Sequence, residues 1–158
     1  MDTIKRIYNV DNPMQNDYIR NKALITRRER YSVNCVMTSS QQIYLSKLYS
    51  GELNYPVNGY YADIMFLDEK IFCEYSGSGH NICVKYQQMS IDEFLEKEEQ
   101  RRLSFLRSGF KEFEICSTTD VLPSDNKLMQ IKNKAFEVLN NGCNYYRYNI
   151  DTNEEFCK

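Results

Sequence analysis

The sequence contains no run of apolar residues approaching the roughly 18 needed to cross a bilayer, and its first residues, MDTIKRIYNVDN, lack the apolar centre of a signal peptide. Neither membrane insertion nor secretion is indicated, and the expected location is the cytoplasm. There is one histidine, His80, and the six cysteines at 35, 73, 83, 116, 143 and 157 include no Cys-x-x-Cys pair. The usual zinc-ligand spacings are thereby excluded. Several cysteines sit in strand-like runs such as IFCEY and FEICS. A thiol there packs as a small apolar group, and a reducing compartment would keep it free.

Nor is there a strong overall charge: the net value is −2 and the pI is near 5.5, which argues against a uniformly basic, nucleic-acid-coated surface. The charge is unevenly spread, however. Residues 1–31 hold seven Lys or Arg (Lys5, Arg6, Arg20, Lys22, Arg27, Arg28 and Arg30) against four acids, a balance of +3, which leaves −5 on residues 32–158. A basic arm on an acidic body has this distribution, and so has a solvated helix face. The length of 158 residues and a hydrophobic content of 42% suit one domain with a real core.

The N-terminal part contains an internal echo. YNVDNPM (8–14) returns 23 residues later as YSVNCVM (31–37), and each copy precedes a helix-like segment, NDYIRNKALITRRER (16–30) and SSQQIYLSKLYS (39–50). In the second segment Tyr44, Leu45, Leu48 and Tyr49 align on one face. Beyond residue 50 the pattern turns to strands. YYADIMFL (60–67) and KIFCEYS (70–76) are rich in aromatic and β-branched residues, and Asp68-Glu69 reads as the hairpin turn between them. After a glycine-bearing loop, Ser90 and Glu93 form a capping-box pattern opening a helix over 90–108, with Gly109 as its stop. Phe94, Leu95, Phe105 and Leu106 mark its expected buried face. FKEFEICS (110–117) reads as a strand, 125–141 as a helix ended by Gly142, and CNYYRYNI (143–150) as a last strand before a loose polar tail. The expected fold is α+β: an α/β-type mixed sheet flanked by helices, with a basic helical segment over 1–37 and the core over 38–158.

A two-residue turn at Asp68-Glu69 sets Leu67 opposite Lys70 and therefore Asp63 opposite Glu74, with Ser76 on the same face. Facing carboxylates repel by roughly 0.2–1 kcal/mol on a sheet surface, and burial makes this worse. Such a pair either points to solvent from a half-exposed strand or is held together by a cation. Oxygen ligands of this kind suit Mg²⁺ or Mn²⁺, with waters and a substrate phosphate completing the shell.

The residues SSQQIYLSKLYSGELNYPV (39–57), YYADI (60–64), EYSGSGH (74–80), KEEQRRLSFLRSGF (97–110) and STTDVLPSD (117–125) together resemble the PD-(D/E)XK nuclease superfamily. Within it, the chain is similar to the branch around the very-short-patch repair endonucleases and related phage and mobile-intron homing endonucleases. The units YNVDNPMQ and YSVNCVM resemble repeats that accompany such nucleases.

The resemblance implies a restriction-endonuclease-like core with a small helical N-terminal extension, acting on double-stranded DNA in a bacterial or phage-infected cell. It implies Mg²⁺- or Mn²⁺-dependent phosphodiester hydrolysis, with no small-molecule cofactor. Asp63 and Glu74 would hold the metal, with the Tyr75 carbonyl as a further oxygen. His80 would act as base or orient the attacking water or the phosphate, its path eased by Gly77 and Gly79. Lys85 would contact phosphate, and Gln42, beside Gln41, would assist water or contact DNA unless it lies on an exposed helix face. Arg20, Lys22, Arg27, Arg28 and Arg30 would contact DNA. Arg102 lies four residues after Glu98 on the stripe that also carries Phe105, so it either reaches phosphate or an active-site acid, or simply neutralises Glu98. The chain departs from the family at Ser76, where many relatives carry an acid, at Glu114, where they often carry Arg, and after Tyr8 and Tyr31, where Asn and Ser replace Gly. These departures imply an alternative: a weakened or inactive DNA-binding protein of the same fold.

Overall fold

The structure, a computed structural model, describes residues 37–158. Arg20, Lys22, Arg27, Arg28 and Arg30, the helix expected at 16–30, the first echoed unit and residues 31–36 of the second lie outside the described residues. Ser39–Lys158 make one unit. It opens with helix α1 (Ser40–Tyr49), whose N-cap Ser39 accepts the Gln42 N–H at 3.1 Å while the Gln42 side chain accepts the Ser39 N–H at 2.6 Å. That reciprocal capping box satisfies two of the donors a helix start leaves open. Leu45 and Tyr49 are buried, whereas Tyr44 faces out and donates its hydroxyl to Asp125.

Strands β1 (Glu52–Val57), β2 (Tyr60–Phe66) and β3 (Ile71–Ser76) form an antiparallel meander. The turn between β2 and β3 spans 67–70, with Lys70 in the left-handed region at φ 54° and its N–H on the Leu67 carbonyl at 3.2 Å. It is longer than the two-residue turn expected, yet Phe66 pairs with Ile71 and Ile64 with Cys73, so the register is the one the hairpin reading requires. Next come a single-turn helix α2 (Ile82–Lys85), helix α3 (Ile91–Arg107), strand β4 (Lys111–Cys116), helix α4 (Asp125–Asn140) and strands β5 (Tyr145–Asn149) and β6 (Glu154–Cys157). The six strands of the described residues form one mixed sheet in chain order, with β3, β4 and β5 parallel and β6 antiparallel to β5.

The two faces differ in chemistry. Ile64, Cys73, Tyr75, Phe113 and Ile115 meet Leu45 of α1 and Leu128, Ile131, Ala135 and Leu139 of α4 in the main apolar core. The opposite face carries a much smaller cluster, Ala62, Met65, Phe72 and Phe105 of α3, in which the Phe72 and Phe105 rings stack at 4.3 Å. Burying one such ring stabilises by about 1.5–3 kcal/mol. Because the crossover helices α3 and α4 lie on opposite faces while β3, β4 and β5 run in order, the two crossovers have opposite hands. One of them is therefore the rare left-handed kind, and among the helices of the described residues it is α3 that packs on the second face through Phe105.

Several expectations are corrected. Glu52–Val57 forms a strand although Pro56 lies within it, which is tolerated because β1 is an edge and its missing N–H breaks no inner ladder. The tail is ordered as the opposite edge, β6. Its pairing of Tyr146 with Cys157 brings Cys157 to a Cα distance of 6.4 Å from Cys143, and the two thiols are joined in a disulfide rather than free. Of the residues expected to face inward on α3, Phe105 is fully buried, but Leu95 and Leu106 are 57% and 37% exposed. Among the described residues no helix is long and apolar enough to cross a membrane.

Gly51, between α1 and β1, sits against the core: a Cβ there would lie 2.4 Å from Cγ2 of Ile64 and 2.8 Å from a ring carbon of Phe66. Gly51→Ala is expected to destabilise the fold by about 1–3 kcal/mol through overpacking, measured by urea unfolding.

Candidate active site

The backbone pairing of β2 with β3 runs from Phe66–Ile71 to Ile64–Cys73, and just beyond it the Asp63 and Glu74 carboxylates take over the cross-strand contacts. Asp63 Oδ2 accepts the Tyr75 N–H at 2.9 Å, and Glu74 Oε1 faces the Asp63 N–H at 3.4 Å. Each acid thus takes a backbone proton of the facing strand. Glu74 is 4% exposed. Burial pushes its carboxyl well above the ordinary range, the neighbouring Asp63 charge adds to this, and Arg101 opposes it. Burial also raises Asp63, against the Tyr75 N–H, the Gln42 side chain, Arg101 and His80. Gln42 therefore reaches the pair from the first turn of α1, while Gln41 turns away and donates to the Asp120 carbonyl at 2.9 Å.

The cation facing the pair is Arg101 of α3, whose Nη2 lies 2.8 Å from Glu74 Oε2 and 3.8 Å from Glu98 Oε2. Glu98 in turn lies 3.3 Å from Nε2 of His80, and the Phe94 ring meets the imidazole edge-on at 5.4 Å. A chain of alternating charge, Glu74, Arg101, Glu98, His80, thus joins the sheet to the loop. Glu98 raises the His80 pKa above its ordinary value, outweighing burial. Burial alone would lift Glu98, but His80 and Arg101 hold it below the usual carboxylate range. The expected Glu98–Arg102 pairing is not formed. Arg102 points along the sheet to Glu112 at 2.6 Å and to Glu99 at 2.8 Å, with its guanidinium over the Tyr145 ring at 4.3 Å.

The loop after β3 is fixed by Asp120. Its carboxylate accepts the Ser78 N–H at 3.0 Å, the Ser78 hydroxyl, and the Tyr75 hydroxyl at 2.9 Å. A Cβ on residue 77 would lie 2.4 Å from Asp120 Oδ1 and 2.8 Å from the Tyr75 ring, so glycine is required there. Gly79 has open space around it and carries no such requirement. The His80 N–H closes the turn on the Gly77 carbonyl at 3.0 Å. Lys85 is exposed and folds its amine onto the Ser78 carbonyl, so it braces this loop rather than facing the acids.

Ser76 donates to Glu114 Oε1 at 2.5 Å, and the Tyr145 hydroxyl also binds Glu114. Burial alone would lift Glu114, but these donors hold it below the usual carboxylate range. Glu114 pairs with Glu74 across the parallel β3–β4 ladder. The acid beside Ser76 is thus one supplied by the neighbouring strand.

Sequence reasoning brought together Asp63, Glu74, Ser76, His80 and Gln42 but passed over Arg101, Asp120 and the role of Glu114. A search for a cation on the Glu98 side of the helix, three residues on, would have found Arg101. Asp63, Glu74, Glu98, Glu112 and Glu114 stand against Arg101, Arg102, Arg147 and His80, so this face carries more acid than base. Among the described residues, no group of three or more His, Cys, Asp or Glu side chains is arranged to hold a metal ion. The donor set present is the two carboxylates of Asp63 and Glu74. That set fits Mg²⁺, which takes one or two carboxylates and completes its shell with water and phosphate. No family model, curated protein or solved structure matches the chain.

Removing Arg101 leaves Glu74 buried and unpaired, so Arg101→Ala is expected to cost about 3–5 kcal/mol in chemical unfolding. Adding Glu74→Gln to that variant should recover part of the loss. The raised pKa of His80 sets a sign for pH. Stability from its pair with Glu98 is complete below about pH 6.5 and is lost as pH rises through the raised value. The thermal midpoints of wild type and His80→Gln should therefore differ most below about pH 6.5 and converge as pH rises above it.

Proposed function

We propose that the chain is a metal-dependent DNA endonuclease of the very-short-patch-like or homing type, in which Asp63 and Glu74 hold Mg²⁺ or Mn²⁺. The observation that carries this reading is the entry of both carboxylates into the β2–β3 ladder, side by side on a buried face already rich in acid. An unaided fold gains nothing from concentrating like charge there. When bound, the ion neutralises charge at the phosphodiester and acidifies a water.

The chain's own residues then have distinct tasks. Gln42 and the Tyr75 N–H orient Asp63. Glu98 favours the protonated form of His80, and in that form the imidazole would offer a proton to a phosphate or leaving-group oxygen. Ser76 has its hydroxyl committed to Glu114 and orients that acid. The basic stretch 1–31 contributes phosphate contacts.

One observation favours a second reading, a non-catalytic DNA-binding protein of the same fold: Arg101 already supplies Glu74 with a cation at 2.8 Å. A nicking assay on supercoiled DNA separates the two. The endonuclease reading expects Mg²⁺- or Mn²⁺-dependent nicking that falls by about 100-fold or more, about 2.7 kcal/mol, in Glu74→Ala and in Asp63→Asn. Equal background from wild type and variants removes it. DNA binding itself is tested by salt. Affinity should fall by roughly 10³ between ~50 and ~200 mM if about six phosphates are contacted, and a flat response contradicts the basic-arm contacts.

A further inference from the structure

A cavity of about 460 Å³ opens at His80, the far end of the charge chain that starts at Glu74. Ser76, Cys116 and Asn149 line it and are the last residues of β3, β4 and β5, so it lies at the carboxyl ends of the three parallel strands. Open parallel sheets take their ligands at that edge. Its volume is in the range of a cleft that takes one small molecule.

The lining is divided by chemistry. Phe94 and Leu95 of the first turns of α3 form an apolar wall, and Leu95 is 57% exposed with no core residue covering it. His80 and Lys85 form a cationic rim, joined to the acid pair through Glu98 and Arg101. Asn149 spends its side-chain oxygen on the Asp151 and Thr152 N–H groups at 2.9 and 3.2 Å, so what it offers the cavity is its NH₂. An apolar wall for a ring face, an amide donor for its edge and two cations at the mouth match a nucleotide. A base still paired and stacked in a duplex cannot enter such a site, and proteins that read a base this way take it out of the stack.

We propose that this cavity takes one unpaired deoxynucleotide of the bound strand, with its phosphate at His80 and Lys85 and its base against Phe94 and Leu95. The proposal deepens the endonuclease reading and rests on it for the source of the nucleotide: the substrate would be DNA with an extruded or bulged nucleotide at the cut.

The test has two arms, both on the full chain. In the first, dAMP, dTMP and inorganic phosphate are titrated into isotopically labelled protein. Either nucleotide should shift the amides of Ser76, His80, Leu95 and Asn149, phosphate alone should not reproduce the Leu95 and Asn149 shifts, and Leu95→Trp, which fills the cavity, should abolish them. Leu95→Glu serves as a second variant at this exposed position. In the second arm, Ca²⁺ replaces Mg²⁺ and DNA affinity is measured by fluorescence anisotropy. A duplex with one unpaired nucleotide should bind about tenfold tighter than a fully paired one, as expected for one base stacked on an apolar wall, and Leu95→Trp should remove the preference. Unmoved amides, phosphate shifts identical to those of the nucleotides, or equal affinity for the two duplexes each overturn the proposal. Nicking of paired DNA with unmoved amides leaves the endonuclease standing without the cavity. A bulge preference without nicking in Mg²⁺ or Mn²⁺ leaves the cavity standing without the endonuclease.

Discussion

The ion pair between Arg101 and Glu74 is the constraint on which one whole face of the molecule depends. A sheet face that carries Asp63, Glu74, Glu112 and Glu114 cannot be covered by an ordinary apolar helix, because each acid would be stripped of water with nothing in return. Helix α3 answers this with two consecutive arginines, Arg101 on Glu74 and Arg102 on Glu112, and with a single fully buried apolar anchor, Phe105. Its Leu95, Leu103 and Leu106 are left partly exposed because the helix docks through charge and one aromatic stack.

The other face shows what this arrangement costs and how the fold offsets it. Helices α1 and α4 meet the sheet through Leu45, Tyr49, Leu128, Ile131, Ala135 and Leu139, an apolar contact of the usual kind. Most of the apolar burial is concentrated there, so the charged face can be specialised without carrying the stability of the fold. The opposite hands of the two crossovers make that separation possible. Two right-handed crossovers would have put both helices on one face and left the acids open to solvent.

How much of this was legible in the sequence depended on how local the deciding interaction was. The β2–β3 hairpin, its register and the facing of Asp63 and Glu74 followed from a turn and a period of two, and the capping box of Ser90 with Glu93 followed from neighbours three apart, whereas that of Ser39 with Gln42 went unread. The general α+β architecture was readable for the same reason. The edges were not. Strand β1 contains a proline and β6 is polar, and each is a strand only because a neighbour lends it a ladder. The Cys143–Cys157 bond followed the same logic, since it needs β6 to exist first. The choice of Arg101 over Arg102 as partner of the acid pair depended on where β4 places Glu112, which no helical periodicity encodes. Asp120 was invisible because its partners lie 42 and 45 residues away, on a loop and a strand it meets only in the folded state.

The bond between Ser76 and Glu114 has a consequence for how such a chain can vary. The two residues are 38 apart in sequence, yet one supplies the donor and the other the acid at a single spot on the sheet. Their side chains therefore act as one unit. A chain that restored an acid at 76 while keeping Glu114 would place two carboxylates within hydrogen-bonding distance, and one that replaced Glu114 by arginine while keeping Ser76 would leave the spot with no acid. A substitution at 76 or at 114 therefore has to be answered at the other position if the spot is to keep one donor and one acid.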